Sequence, residues 1–178
     1  MNNPFTTNLL LIKLKRQDPD AFAELYDAYA ERIHRFIFFK INDAVEVQDL
    51  TSETFLKFWQ YVKAEKPIKN VNALLYTIAR NLVIDHYRSR QRQYDQEVPI
   101  DQMEIADKRD YLAEHVQRST LEQVAAGLKE LKDEYREVIV LRFIDELSIS
   151  EIAGIVGKSK GSVRVLLHRA LKALKDTT

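Results

Sequence analysis

The placement of helix breakers limits this fold more than any other feature of the chain. Glycine is absent from the first 126 residues and occurs only at 127, 154, 157 and 161, and proline occurs only at 4, 19, 67 and 99. These two residues interrupt regular structure more strongly than any others, so their scarcity predicts long helices with few tight turns. No stretch sustains the period-two alternation of a half-buried strand. The expected fold class is all-α. Apolar periodicity places helices over about 8–16, 19–40, 44–63 and 71–92, then over about 111–130, 133–145, 149–156 and 160–174. Asp18-Pro19 reads as an N-cap followed by the first helical residue.

Charge divides these helices into two groups. Lys plus Arg number 27 and Asp plus Glu number 27, a formal net charge of zero that excludes a uniformly basic nucleic-acid coat. Locally the balance is far from even: residues 95–114 carry −5, residues 76–92 carry +3 and residues 158–175 carry +6. Pro99 lies within the acidic stretch, whose apolar periodicity is weak. Two small helical domains, 1–92 and 115–178, are therefore expected on either side of an acidic linker at 93–114. The chain contains no cysteine, which removes disulfides, thiolate metal sites and thiol nucleophiles. No apolar run approaches the roughly 20 residues of a membrane span. The first residues lack a basic stretch leading into an apolar one, so a cytoplasmic protein with no membrane insertion is expected.

The second domain ends in a helix-turn-helix pattern. Ser148 and Glu151 have capping-box spacing, Gly157 suits a left-handed helix stop, and Ser159 is placed to cap the last helix. On that last helix Val163, Leu167, Ala170 and Leu174 form an apolar stripe with Leu166 at its edge. Arg164, His168, Lys172 and Lys175 lie opposite. Val165 points the same way as His168, where it could touch a thymine methyl, while Arg164 could reach a guanine edge or a phosphate. The plainer alternative is an amphipathic surface helix with a solvated basic face. His168 has no second candidate ligand one turn away, so a metal role is not expected.

Two helices of the first domain carry further signals. Over 44–63, Val47, Thr51, Thr54, Phe58 and Val62 line one face. The other holds Asp49, Glu53 and Gln60 together with Leu56 and, to one side, Trp59. Exposed Leu and Trp on an acidic face suit a protein-binding surface with aromatic anchors, although a helix buried on both sides within a bundle fits the periodicity equally well. Over 71–92, Val71, Leu75, Ile78, Ala79 and Leu82 point inward, whereas Tyr76, Arg80 and Tyr87 share an outward face that continues into Arg88, Arg90 and Arg92. Aromatics interleaved with arginines suit single-stranded nucleic acid, stacking the bases and holding the backbone. His86 falls near the inward side, where packing is its expected role.

In order along the chain, six segments resemble bacterial sigma factors of the extracytoplasmic-function (ECF) class. Asp18-Pro-Asp-Ala-Phe-Ala-Glu-Leu-Tyr-Asp27 resembles the opening of region 2. Asp49-Leu-Thr-Ser-Glu-Thr-Phe-Leu-Lys-Phe-Trp59 resembles the core-polymerase-binding helix, and Leu75-Tyr-Thr-Ile-Ala-Arg-Asn-Leu-Val-Ile-Asp-His-Tyr-Arg88 the minus-ten helix. Tyr135–Phe143 and Ser148–Ala153 resemble region 4, and Ser162–Ala170 its minus-thirty-five helix. The resemblance implies a sigma factor that binds core RNA polymerase and directs promoter-specific initiation. It implies polymerase contacts through Asp49, Glu53, Leu56, Trp59 and Gln60, docked on the clamp helices of the β′ subunit, with the β subunit as a further contact. A non-template single strand at the minus-ten element would be held by Asn70, Asn72, Tyr76, Arg80, Asn81 and Arg88, with a flipped base in the loop around 66–72. Duplex promoter DNA at the minus-thirty-five element would meet Ser159, Lys160, Ser162, Arg164, Val165, His168, Arg169 and Lys172. Val165 and Leu166 stand where many members of the class carry polar or basic residues, which shifts the expected readout toward DNA shape and phosphates. An anti-sigma factor is the implied regulator. The linker's charge suggests a path near the polymerase active channel, mimicking nucleic acid. No catalytic residue, metal or cofactor is expected.

Two other functions account for less of the sequence. A stand-alone helix-turn-helix regulator explains 148–174 but not the face at 49–59. A nucleic-acid enzyme lacks its chemistry: Asp85 and His86 are adjacent on a helix and diverge by about 100°, and no nucleophile–base pair or carboxylate cluster is evident.

Overall fold

A computed structural model describes residues 4–41, 43–96 and 124–177. Every regular element among them is helical. The first four helices are α1 (Pro4–Lys15), α2 (Pro19–Phe38), α3 (Ala44–Lys63) and α4 (Val71–Gln96). A short helical stretch at 124–129 leads into α5 (Asp133–Ile139), which continues as a wider π-helical turn over Val140–Ile144. Then come α6 (Ile149–Val156) and α7 (Lys160–Thr177). Helix α4 runs four residues past the expected end at 92, into the segment read as linker; the rest of the acidic linker and the start of the helix expected at 111–130 lie outside the described residues.

Local chemistry sets the helix ends. Asp18 caps α2 by accepting from the Asp20 amide at 3.0 Å, ahead of Pro19. Asp43 does the same for α3 through the Val45 and Glu46 amides. Asn70 opens α4, its side-chain oxygen taking the Ala73 amide at 2.9 Å. These contacts satisfy amide groups that have no partner within the helix.

Helices α1–α4 enclose one part of the core. Leu25, Ile33, Phe36 and Ile37 of α2 meet Val47, Phe58 and Val62 of α3 and Val71, Leu75 and Ala79 of α4, all buried. Two aromatic pairs lock α2 to α3. Phe22 and Trp59 have ring centroids 4.9 Å apart, and Tyr26 and Phe55 4.7 Å apart. Each helix supplies residues four apart, and the crossed order of the pairs shows that the two helices run antiparallel.

Helices α5–α7 form a smaller group around Val138, Leu141, Leu147, Ile152, Val163 and Leu167. The two groups are packed together, α6 lying against α4, and their buried apolar residues form one connected cluster.

Candidate nucleic-acid and protein-binding surfaces

The helix-turn-helix has the geometry its residues predict. The Ser148 hydroxyl accepts from the Glu151 amide at 3.2 Å, and a Glu151 carboxylate oxygen takes the Ser148 amide at 2.9 Å. Gly157 ends α6 at φ 67°, ψ 34°, the left-handed stop. Ser159 accepts from the Ser162 amide at 3.1 Å and so caps α7. Val163, Leu167 and Ala170 are buried, each large one contributing about 1.5–3 kcal/mol by leaving water. Opposite them Ser159, Lys160, Ser162, Arg164, Val165, His168, Arg169 and Lys172 are all exposed. Leu166, expected at the edge of the stripe, is largely covered at 9 % exposure, so of the two neighbouring apolar residues only Val165 is presented to a ligand.

On α3, the predicted inner face (Val47, Thr51, Thr54, Phe58, Val62) is buried. Burial extends further than periodicity suggests, since Leu50 and Phe55 are covered as well. The outer face is open: Asp49 and Gln60 are exposed, Leu56 is 55 % exposed, and Glu53 pairs with Lys57 at 3.3 Å. Trp59 is half-buried, with its ring against Phe22 and the Lys63 ammonium 5.6 Å from its centroid. The neighbouring Tyr26 of α2, 42 % exposed above Phe55, widens this apolar surface. Its signal in the sequence was the Phe22/Tyr26 spacing, which matches that of Phe55/Trp59.

Helix α4 departs most from expectation. Tyr76 was placed on an outward face with Arg80 and Tyr87, yet it is fully buried, its ring packed edge-on to Phe36 at 5.3 Å. Asn72 is buried too. The physical reason is that α6 covers α4 in addition to α2 and α3, so the buried sector of α4 is wider than its apolar stripe. Asn70, Asn81 and Arg88 are exposed, and Arg88 pairs with Asp85 at 3.7 Å. Tyr87 is half-exposed, its hydroxyl donating to the Lys40 carbonyl. His86 does more than pack: its Nε2 lies 3.0 Å from a Glu46 carboxylate oxygen, and Arg90 reaches the same carboxylate at 3.3 Å.

Acids of the C-terminal group hold that covering in place. Arg80 Nε donates to Glu137 at 3.0 Å, and Lys40 lies 3.2 Å from Glu137 and 3.1 Å from Asp133. Arg35 donates to the Asp145 carboxylate at 2.8 Å, and Arg32 to the Asp145 carbonyl at 2.5 Å. The Asn72 and Asn70 amides donate to Glu151 at 3.1 and 3.4 Å. Asp145 owes its position to the π-turn, where its amide bonds the Val140 carbonyl five residues back, and Glu146 follows at φ 57°. Burial pushes the Asp145 carboxyl above the ordinary aspartate range despite Arg35. Burial, with the nearby Asp145 charge, also raises the Tyr76 hydroxyl. Burial acts on Glu151 in the same sense, but its bonds from Ser148, Asn72 and Asn70 outweigh it and hold that carboxyl below the usual range.

No cluster of His, Asp and Glu suited to a metal ion occurs among the described residues. None of their helices is long and apolar enough to cross a membrane.

Comparison with known proteins places these surfaces. Residues 25–93 match the family description Sigma-70 region 2, and residues 121–174 match Sigma-70, region 4. The chain is 32 % identical over 168 residues to the ECF RNA polymerase sigma factor BldN of Streptomyces coelicolor, covering 93 % of this chain and 63 % of that relative. It is 30 % identical over 165 residues to the ECF sigma factor SigX of Bacillus subtilis, covering 88 % of this chain and 82 % of SigX. Its fold matches the sigma factor RpoE of Bartonella quintana, solved in complex with the anti-sigma factor NepR, with TM-score 0.68 and 23 % identity over 88 % of this chain and 95 % of that one. The order of elements, the exposed faces of α3 and α7 and these similarities agree, and the chain belongs to the ECF class of RNA polymerase sigma factors.

Proposed function

We propose that this sigma factor divides its work among three helices. The open face of α3, with Asp49, Glu53, Leu56, Trp59 and Gln60, docks on the clamp helices of the polymerase β′ subunit. Helix α4 and the loop before it hold the minus-ten non-template strand through Asn70, Asn72, Tyr76, Arg80, Asn81 and Arg88. Helix α7 lies in the major groove at the minus-thirty-five element, where Arg164 and Val165 reach bases and Ser159, Lys160, Ser162, His168, Arg169 and Lys172 fix the register on phosphates. Residues 1–92 and 115–178 act as the two promoter-reading units, and the acidic 93–114 segment links them past the β subunit. The chain supplies sequence choice in the cytoplasm, and the polymerase supplies the catalysis. An anti-sigma partner of the kind seen with the Bartonella relative would restrain it.

The observation that carries this reading is the exposed apolar pair where α3 meets α2. Leu56 and Tyr26 sit in solvent beside a half-buried Trp59, although each helix already buries a full face elsewhere. A regulator acting on duplex DNA alone has no use for that surface. Co-elution with sigma-free core polymerase tests it. Leu56→Arg is suited to the test because the side chain is largely exposed and its loss leaves the core intact. Wild-type chain should co-elute and direct run-off transcription, and the variant should do neither while keeping its duplex-DNA binding. Equal co-elution of both proteins would remove α3 from the polymerase contact.

A further inference from the structure

The ends of α1 and α3 meet at a cavity outside the three surfaces assigned above. Its volume is about 340 Å³, and it is lined by Lys15 of α1, Val62 of α3, and Glu65, Lys66 and Ile68 of the loop that leads to α4. Val62 is buried and Ile68 is partly buried, so the covered side of the lining is apolar. Lys15, Glu65 and Lys66 are exposed. Positive charge collects here in a chain whose total is zero: residues 10–17 carry +3 and residues 60–70 carry +2. Among the described residues the lysines with carboxylate partners are Lys40 and Lys57, and neither Lys15 nor Lys66 has one. A lysine in the last turn of a helix complements the negative end of the dipole, which accounts for Lys15 alone. It does not account for a second lysine, from another element, lining the same cavity beside an acceptor.

We propose that this seam between α1 and α3 is a binding site for one nucleoside monophosphate unit, free or carried in a strand. The volume is at the small end of ligand cavities, which suits a single nucleotide rather than a run of bases. The base covers Val62 and Ile68. The phosphate takes Lys15 and Lys66 in charge-assisted hydrogen bonds. Glu65 accepts from a base N–H, and guanine suits it best, because its N1–H and N2 amino group offer two donors side by side to one carboxylate. An occupant ties the end of α1 to the loop whose Asn70 caps α4, and so fixes the entry to that helix. The site includes none of the side chains assigned to the polymerase or to the minus-ten strand, and it does not depend on either assignment.

The full-length chain, labelled at its isoleucine and valine methyl groups, tests this by nuclear magnetic resonance. Ile68 and Val62 report from the cavity itself. The probes are guanosine 5′-monophosphate, inorganic phosphate and the pentanucleotide d(TTGTT). Lys15→Ala is the main variant. Its side chain is exposed, so its loss leaves the core intact, and unchanged methyl signals elsewhere verify that. Lys13→Ala is the charge-matched control. Lys13 is also exposed, but two positions along a helix turn it about 200° away from Lys15.

Guanosine monophosphate should shift the Ile68 and Val62 signals, and inorganic phosphate, which lacks the base, should shift them less at equal concentration. Lys15→Ala should weaken nucleotide binding about tenfold, the loss expected when one charge-assisted contact goes. Lys13→Ala should change it by less than about twofold, because a charge on the far side of α1 acts only through solvent. The mononucleotide binding as tightly as the pentanucleotide supports the site with a free nucleotide as its source. The pentanucleotide shifting the same methyls at much lower concentration supports the site with a strand as its source. Methyl signals of Ile68 and Val62 that respond to neither probe overturn the proposal. Equal losses from Lys15→Ala and Lys13→Ala overturn it too, since they reduce the effect to a diffuse positive field.

Discussion

Gly157→Ala isolates one backbone term on which the DNA-reading helix depends. Gly157 sits at φ 67°, ψ 34° between α6 and α7. A Cβ built on it meets no atom within 4 Å, so no steric clash adds to the effect. What remains is the left-handed conformation, which costs an L-residue roughly 1–2 kcal/mol. Alanine also lowers the entropy of the unfolded chain, returning about 0.4–1 kcal/mol. The net expectation is a loss of about 0.5–1.5 kcal/mol. Asn tolerates this conformation better than Ala, and Val tolerates it worse because its branched Cβ crowds the backbone. The series Gly, Asn, Ala, Val should therefore fall in that order in urea midpoint, with little change in slope. Operator-independent duplex binding should fall with stability alone, since no side chain is removed from the α7 surface. An alanine variant as stable as wild type, or a valine no worse than alanine, would refute the claim that the turn holds 157 in the left-handed region.

Four further outcomes follow from the same geometry. Ser148→Ala removes the acceptor for the Glu151 amide and should cost about 1 kcal/mol in chemical denaturation. Arg164→Ala should weaken minus-thirty-five duplex binding and reduce its salt dependence, whereas Val165→Ala should narrow sequence discrimination with the salt slope unchanged, both read by anisotropy titration. Asp145→Asn removes the charge that faces Arg35 but keeps a side-chain oxygen for its hydrogen bond, whereas Arg35→Ala leaves the buried carboxylate without its cation, so the second should lower the urea midpoint more than the first. Glu151 has the opposite sign: its carboxyl is lowered when folded, so its contribution is present above the ordinary glutamate range and is lost as pH falls through the depressed value. Glu151→Gln should flatten that part of the acid-unfolding profile.

What could be foreseen from the residues was local. The capping box at Ser148, the left-handed stop at Gly157 and the stripe Val163–Leu167–Ala170 each involve residues within a few positions of one another, and each is present as expected. The inner face of α3 was legible for the same reason. Misplaced residues were those with a distant partner. The sequence distance between Arg35 and Asp145 is 110 residues, and between Arg80 and Glu137 it is 57. Nothing in the helical period of α5 separates Glu137 from an ordinary solvated acid, and Glu151 already had a complete local role in the capping box. Tyr76 reads as exposed because its apolar neighbours define a narrow stripe on the helical wheel, whereas the sector of α4 that is buried is broader. The π-turn at Val140–Ile144 carried no breaker to announce it, yet it aims Asp145 at α2. Acids that their own helices do not need are thus where this chain stores its long-range information. The halves 1–92 and 115–178 carry +3 and +2, and the −5 of the 93–114 linker brings the whole chain to zero, so the neutral total conceals two basic halves and one acidic segment.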